Sequence, residues 1–188
     1  MEESSVARPG QRDCVVVMGP SGVGKTTIAE LLSRRLGWSF AEADEFHPQA
    51  NIDKMTAGVP LTDEDRAPWL ALIRDWISAE AKAGRCSVVT CSALKRRYRD
   101  VLRGAGARVR FLELAADPEL IAGRLAGRKG HYMPPSLLGS QFATLEPLAA
   151  DEDGARISVV VGPEAVADQA LAALGLAAGL QSARSGVR

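Results

Sequence analysis

The sequence predicts an α/β fold, a parallel sheet with helices on both faces. Three observations carry this. Short, almost wholly apolar runs rich in β-branched residues, such as residues 14–18, recur along the chain. Segments with apolar residues at helical spacing alternate with them. A glycine-rich stretch, residues 19–26, joins the first run to the first such segment. A strand with one wet face alternates apolar and polar side chains, whereas a continuous apolar run needs cover on both sides, which helical crossovers provide. At 188 residues the chain is long enough for one domain with a sizeable core.

The elements follow in order. Residues 1–12 are polar and read as a flexible leader to a domain over 13–175, and residues 176–188 read as a tail. Residues 14–18 form the first strand, ended by Gly19 and Pro20. Ile28, Leu31, Leu32 and Leu36 fall on one helix face, and Gly37 stops that helix. Residues 38–42 read as a second strand, followed by a loop rich in Pro, Asn and Asp to about Pro60. Trp69, Leu72, Ile73, Trp76 and Ile77 mark a long helix over 65–83. Residues 87–91 are the third strand, 98–103 a helix, and 108–114 the fourth strand. Asp117 and Pro118 open a further helix, with proline where a helix tolerates it. Residues 157–161 read as a fifth strand and 164–174 as a closing helix.

Composition narrows the function. Acidic and basic residues number 23 each, so the net charge is zero, which argues against a general nucleic-acid or membrane-surface binder. No apolar run reaches the roughly 18–20 residues of a membrane span. The segment MEESSVARPGQRD has no apolar signal core, so a cytoplasmic location is expected. The three cysteines, Cys14, Cys86 and Cys91, contain no C-x-x-C pair and read as small buried hydrophobes.

The chemistry starts at GPSGVGKT, residues 19–26, which matches G-x-x-x-x-G-K-[ST] between a strand and a helix. Backbone N–H groups of Gly19, Pro20's neighbour Ser21, Gly22, Val23 and Gly24 can cradle phosphate oxygens at the helix N-terminus. Lys25 adds a cation, Thr26 a hydroxyl for Mg²⁺, and Thr27 continues the helix start. ATP or GTP with Mg²⁺ is therefore expected, and the absence of an N-K-x-D motif removes the GTPase reading.

In a parallel sheet the strand ends meet such a loop at one edge. Asp44, just after the second strand, is placed there to accept a hydrogen bond or a proton from an acceptor hydroxyl, and Glu42 to act near the metal through water. Arg66 is a cation in the first turn of a helix, where the dipole disfavours it, so an anionic partner is expected. Arg124, Arg128 and His131 lie in a Gly-containing basic stretch with the character of a mobile lid, about 124–140. In ALKRRYRDVLR, Lys95, Arg96, Arg99 and Arg103 share one helix face and Tyr98, Val101 and Leu102 the other. Lys95 and Arg99 are then the candidates for an acceptor carboxylate, and Arg96, Arg97 and Arg103 for solvated or paired roles. Arg66, Lys95 and Arg99 with Asp44, His47 and Asn51 suit a polyhydroxy acid better than a nucleoside monophosphate.

Four stretches together resemble the small P-loop gluconokinases, relatives of shikimate kinase and the nucleotide kinases. They are GPSGVGKTT, EADEFHPQANIDKMTAGVPLTDEDRAPWL, CSALKRRYRDVLR and RKGHYMPPSLLGSQFATLEPLAADE. The resemblance implies a three-layer fold with a five-stranded parallel sheet in the order 2-3-1-4-5 and a lid. It implies ATP-dependent phosphorylation of D-gluconate to 6-phospho-D-gluconate, in gluconate catabolism feeding the pentose phosphate pathway, and it suggests a homodimer. It puts Asp44 at the 6-hydroxyl, and His47, Arg66, Lys95, Arg99 and His131 around the sugar acid. It puts Arg124 on adenine with Gly162 and Pro163 as the other wall, and Arg128 near the transferred phosphate. Ala43 stands where the family usually has glycine, which is harmless if the backbone there is ordinary. The alternatives are a kinase for another small sugar acid or hydroxy acid, and a nucleotide-binding regulatory module.

Overall fold

The computed structural model describes residues 11–126 and 138–177, without the side chains of 122, 124–126 and 138. Five strands, β1 (Asp13–Met18), β2 (Ser39–Glu42), β3 (Ser87–Thr90), β4 (Arg108–Ala115) and β5 (Gly154–Ser158), form one sheet. Its order is β2-β3-β1-β4-β5, and every neighbouring pair is parallel. The helices are α1 (Lys25–Leu36), α2 (Gln49–Thr56), α3 (Asp63–Lys82), α4 (Arg96–Arg103), α5 (Pro118–Ala126), α6 (Leu138–Thr144) and α7 (Pro163–Ala173).

The period of two along β1 divides the core. Val15 and Val17 face the layer of α1 and α7, together with Val88, Leu112 and Leu114. Cys14, Val16 and Met18 face the layer of α3 and α4, where Trp69, Ile73, Ile77 and Leu102 close over them. All of β1 beyond Asp13 is fully buried, which is why its sequence shows no polar alternation.

Three elements depart from the sequence expectation. The loop after β2 holds a 3-10 turn (Ala43–Phe46) and α2. That helix has no apolar stripe, and what fixes it is polar: Asn51 Nδ2 donates to the Asp65 carbonyl at 2.8 Å and Lys54 bridges Asp65 at 2.7 Å. Helix α6 likewise lies where no helix was expected. The fifth strand starts three residues earlier than the apolar run 157–161 suggested. Gly154 pairs with Phe111, and a Cβ there would stand 2.1 Å from the Phe111 carbonyl oxygen, so only glycine permits the approach. Val160 and Val161, read as strand, are exposed.

Candidate active site

The phosphate loop leaves β1 at Gly19, whose φ of 136° and close approach to the Leu114 carbonyl (2.9 Å from a built Cβ) demand glycine. Its N–H donates to the Ser92 carbonyl at 3.3 Å, tying the loop to the end of β3. Lys25 Nζ donates to the Gly19 and Pro20 carbonyls at 3.1 Å each. Burial lowers the Lys25 pKa, against the opposing charges of Asp44, Cys91 and Glu42. Thr26 and Thr27 are exposed at the start of α1.

Two cavities flank this loop. One, of about 340 Å³, is lined by Ser21, Lys25, Asp44, His47, Arg66 and Gln141, with Trp69 and Leu94 among its apolar walls. The other, of about 360 Å³, lies between Gly22, Gly24 and Thr27 on one side and Val161 and Pro163 on the other. A third groove, lined by Lys95, Asp63 and Thr144, shares Leu61, Arg66, Leu94 and Gln141 with the first.

Asp44 owes its place to its neighbour. The Ala43 N–H donates to Thr90 Oγ1 at 3.3 Å and its carbonyl accepts from Trp69 Nε1 at 2.7 Å, which pins the turn after β2. Ala43 has no positive φ, so alanine is unstrained in the position where relatives were expected to carry glycine. His47 stacks on Trp69, centroids 4.3 Å apart at 11°. Burial lowers its pKa, Asp44 opposes that and Arg66 adds to it, so the ring is neutral at pH 7. Arg66 donates to the Leu61 carbonyl and lies 5.7 Å from the Tyr98 ring centroid. The anionic partner expected for Arg66 is not a protein carboxylate among the described residues, where none comes within ion-pair distance of it.

The main correction concerns Arg99. Its side chain is 1% exposed and is spent on protein partners, bidentate to Glu152 at 2.7 Å on both contacts, with Nη1 donating to the carbonyls of Ala93 and Glu146. It therefore does not line the cavity that holds Lys25, Asp44 and Arg66. Tyr98, Arg99 and Leu102 form the buried side of α4, so the expected division of that helix was out of phase. Lys95 lies in the third groove and pairs with Asp63 at 3.1 Å. Arg96, Arg97 and Arg103 pair with Asp151, Asp63 and Asp100. Asn51 is buried and serves the α2–α3 junction. Cys91 is buried, and burial pushes its thiol up to about 12, which leaves no nucleophilic thiolate. Arg128 and His131 lie outside the described residues, as does the Arg124 side chain; most of the stretch read as a lid falls there too.

Sequence reasoning missed Trp69 as a cavity wall and Gln141, whose Oε1 accepts the Ser21 N–H at 2.7 Å. Trp69 was read only as core, and Gln141 carries no signal of its own in sequence.

Magnesium chemistry has a place here. Glu42 accepts from Thr90 Oγ1 through one carboxylate oxygen, while its Oε1 is buried without a partner among the described residues. That orphaned oxygen, within electrostatic reach of Lys25, suits a hydrated divalent cation held also by the Thr26 hydroxyl. Among the described residues no cluster of three His, Cys, Asp or Glu could hold a metal alone.

A phosphate loop after the first strand of a 2-3-1-4-5 parallel sheet, opening on a cavity lined by an acid and an arginine, defines the class: a P-loop small-molecule kinase. A family model described as an AAA domain matches residues 14–148. The gluconokinase of Gluconobacter oxydans (strain 621H) is 52% identical over 155 residues, 82% of this chain and 87% of that protein. A crystal structure of an unliganded sugar kinase from Janibacter sp. HTCC2649 superposes with a TM-score of 0.85 at 50% identity, covering 90% of this chain and 98% of that one. That of a gluconokinase from Sinorhizobium meliloti 1021 gives 0.78 at 38%, covering 95% and 99%. The chain belongs to the gluconokinase family.

Proposed function

We propose that this chain transfers the terminal phosphoryl group of ATP to the 6-hydroxyl of D-gluconate. The observation that carries the reading is one cavity in which Lys25, Asp44 and Arg66, an arginine with no carboxylate partner among the described residues, come together in a member of the gluconokinase family. Phosphoryl transfer passes through a loose transition state, so positioning and charge do most of the work. The loop N–H groups and Lys25 hold the phosphate oxygens. Asp44 accepts the hydrogen bond of the attacking hydroxyl and takes its proton as the bond forms. Arg66 holds the acceptor carboxylate, for which its planar fork is suited, with Lys95 beside it. Neutral His47 offers a ring nitrogen to a hydroxyl. Mg²⁺, carried by Thr26 and through water by Glu42, supplies neutralisation of phosphate charge when bound.

The adenine end falls to the second cavity, which Pro163 lines next to Gly162; the roles expected of Arg124, Arg128 and His131 belong to side chains outside the described residues. The kinase domain spans 13–175. The enzyme works in the cytoplasm as a homodimer. Among the described residues no helix is long and apolar enough to cross a membrane. A panel of sugar acids and hydroxy acids ranked by kcat/KM tests the substrate. Gluconate should rank first, and a higher value for another acid would transfer the assignment to that acid.

A further inference from the structure

Arg99 and Glu152 form a fully buried ion pair that the phosphoryl transfer does not use. Replacing such a pair by apolar side chains is often neutral for stability, so stability alone is a weak reason for it. Its surroundings supply another. Ala93, between β3 and α4, has a φ of 43°, the left-handed conformation that costs any residue with a Cβ, and among the described residues no other non-glycine has it. The Ala93 carbonyl accepts from Arg99 Nη1 at 3.2 Å. The same nitrogen donates to the Glu146 carbonyl at 3.0 Å, and the Glu146 N–H donates to the Leu94 carbonyl at 2.7 Å. The Arg96 N–H, two residues on, donates to the Glu146 carboxylate at 2.6 Å. Burial raises the Glu152 pKa, and the Arg99 hydrogen bonds, the Ala149 N–H and the charges of Arg99 and Arg103 together bring it below the ordinary value, so the acid stays charged.

Both neighbours of the strained residue are at the site. The Ser92 carbonyl accepts the N–H of Gly19, and Ser92 and Leu94 line the cavity that holds Lys25, Asp44 and Arg66. We infer that Arg99, oriented by Glu152, is a positioning residue of this kinase: it holds Ala93 in its left-handed turn so that Ser92 and Leu94 shape the acceptor wall. A guanidinium is needed because one planar group must meet a carboxylate and two carbonyls at once, which an ammonium cannot do in the same geometry.

The test is Arg99→Lys, with Ala93→Gly added to it. Arg99→Lys keeps the charge opposite Glu152 but loses the fork. It should raise the acceptor KM by about tenfold, and by more than the ATP KM, which the Ser92–Gly19 hydrogen bond links to the same turn. Ala93→Gly in that background should restore the acceptor KM, because glycine adopts the left-handed turn without a pin. A lowered Tm with an unchanged acceptor KM overturns the inference, and so does failure of Ala93→Gly to rescue. If Arg99→Lys does not fold, Glu152→Gln carries the same readings. The inference rests on the cavity being the acceptor site, which wild-type gluconate turnover decides separately. Should wild type not turn gluconate over, crystal structures decide: Ala93 relaxed to negative φ in Arg99→Lys supports the pin, and Ala93 left-handed there overturns it.

Discussion

At the scale of single residues, the roles of Asp44 and Arg66 separate in kinetics. Asp44→Asn keeps shape and removes the proton acceptor, so kcat should fall by about 10²–10⁴-fold, with ATP binding little changed. Equal loss of both, read by steady-state kinetics and nucleotide titration, would make Asp44 a structural or metal-linked group. Arg66→Ala should raise the gluconate KM by about 10–100-fold, since a charge-assisted hydrogen bond contributes about 1.5–3 kcal/mol. An unchanged KM would remove Arg66 from the pocket. His47 gives a pH signature. Its pKa is lowered in the folded protein, so the unfolded chain binds more protons and stability falls with falling pH. Its contribution is full above the ordinary value of about 6.5 and fades as pH drops below it. Between about pH 7.5 and pH 5.5 the Tm of wild type should fall more than that of His47→Gln. Parallel curves would contradict the neutral stacked ring. That Lys25 and Asp44 meet at one cavity was legible because the motif and the strand ends place them, whereas Arg66, which joins them there, showed only as a cation in a helix's first turn. Arg99 was misread because one helical residue of phase decides between pocket and core, and its partner Glu152 lies 53 residues away.

At the scale of elements, the strands whose apolar runs coincide with their pairing were read within a residue or so, and β5 was not. Its pairing begins at Gly154, a residue with no hydrophobic signal, because the backbone of Phe111 approaches too closely for any side chain. Gly154→Ala should cost about 3 kcal/mol in urea unfolding, since the Cβ meets the Phe111 carbonyl, a backbone group held in the sheet that cannot withdraw cheaply. An unchanged midpoint would mean that the strand pairs through 157–161 after all. Helices α2 and α6 escaped for a related reason. Periodicity finds helices that bury an apolar stripe, whereas α2 is held by Asn51 and Lys54 reaching Asp65, a contact across the fold.

At the scale of the whole molecule, the sheet order brings β1, β2 and β3 side by side, so Lys25, Asp44 and Ser92 leave three neighbouring strand ends and meet at one cavity. The chemistry thus follows from the winding of the chain, and the acceptor from the few side chains that line the far wall. The most direct measurement is ³¹P NMR of the product formed from ATP, Mg²⁺ and D-gluconate, with Lys25→Ala as control. Wild type should yield 6-phospho-D-gluconate with matching ADP, and the control almost none. No phosphorylated sugar acid above the Lys25→Ala background, or phosphate on another hydroxyl, would contradict it.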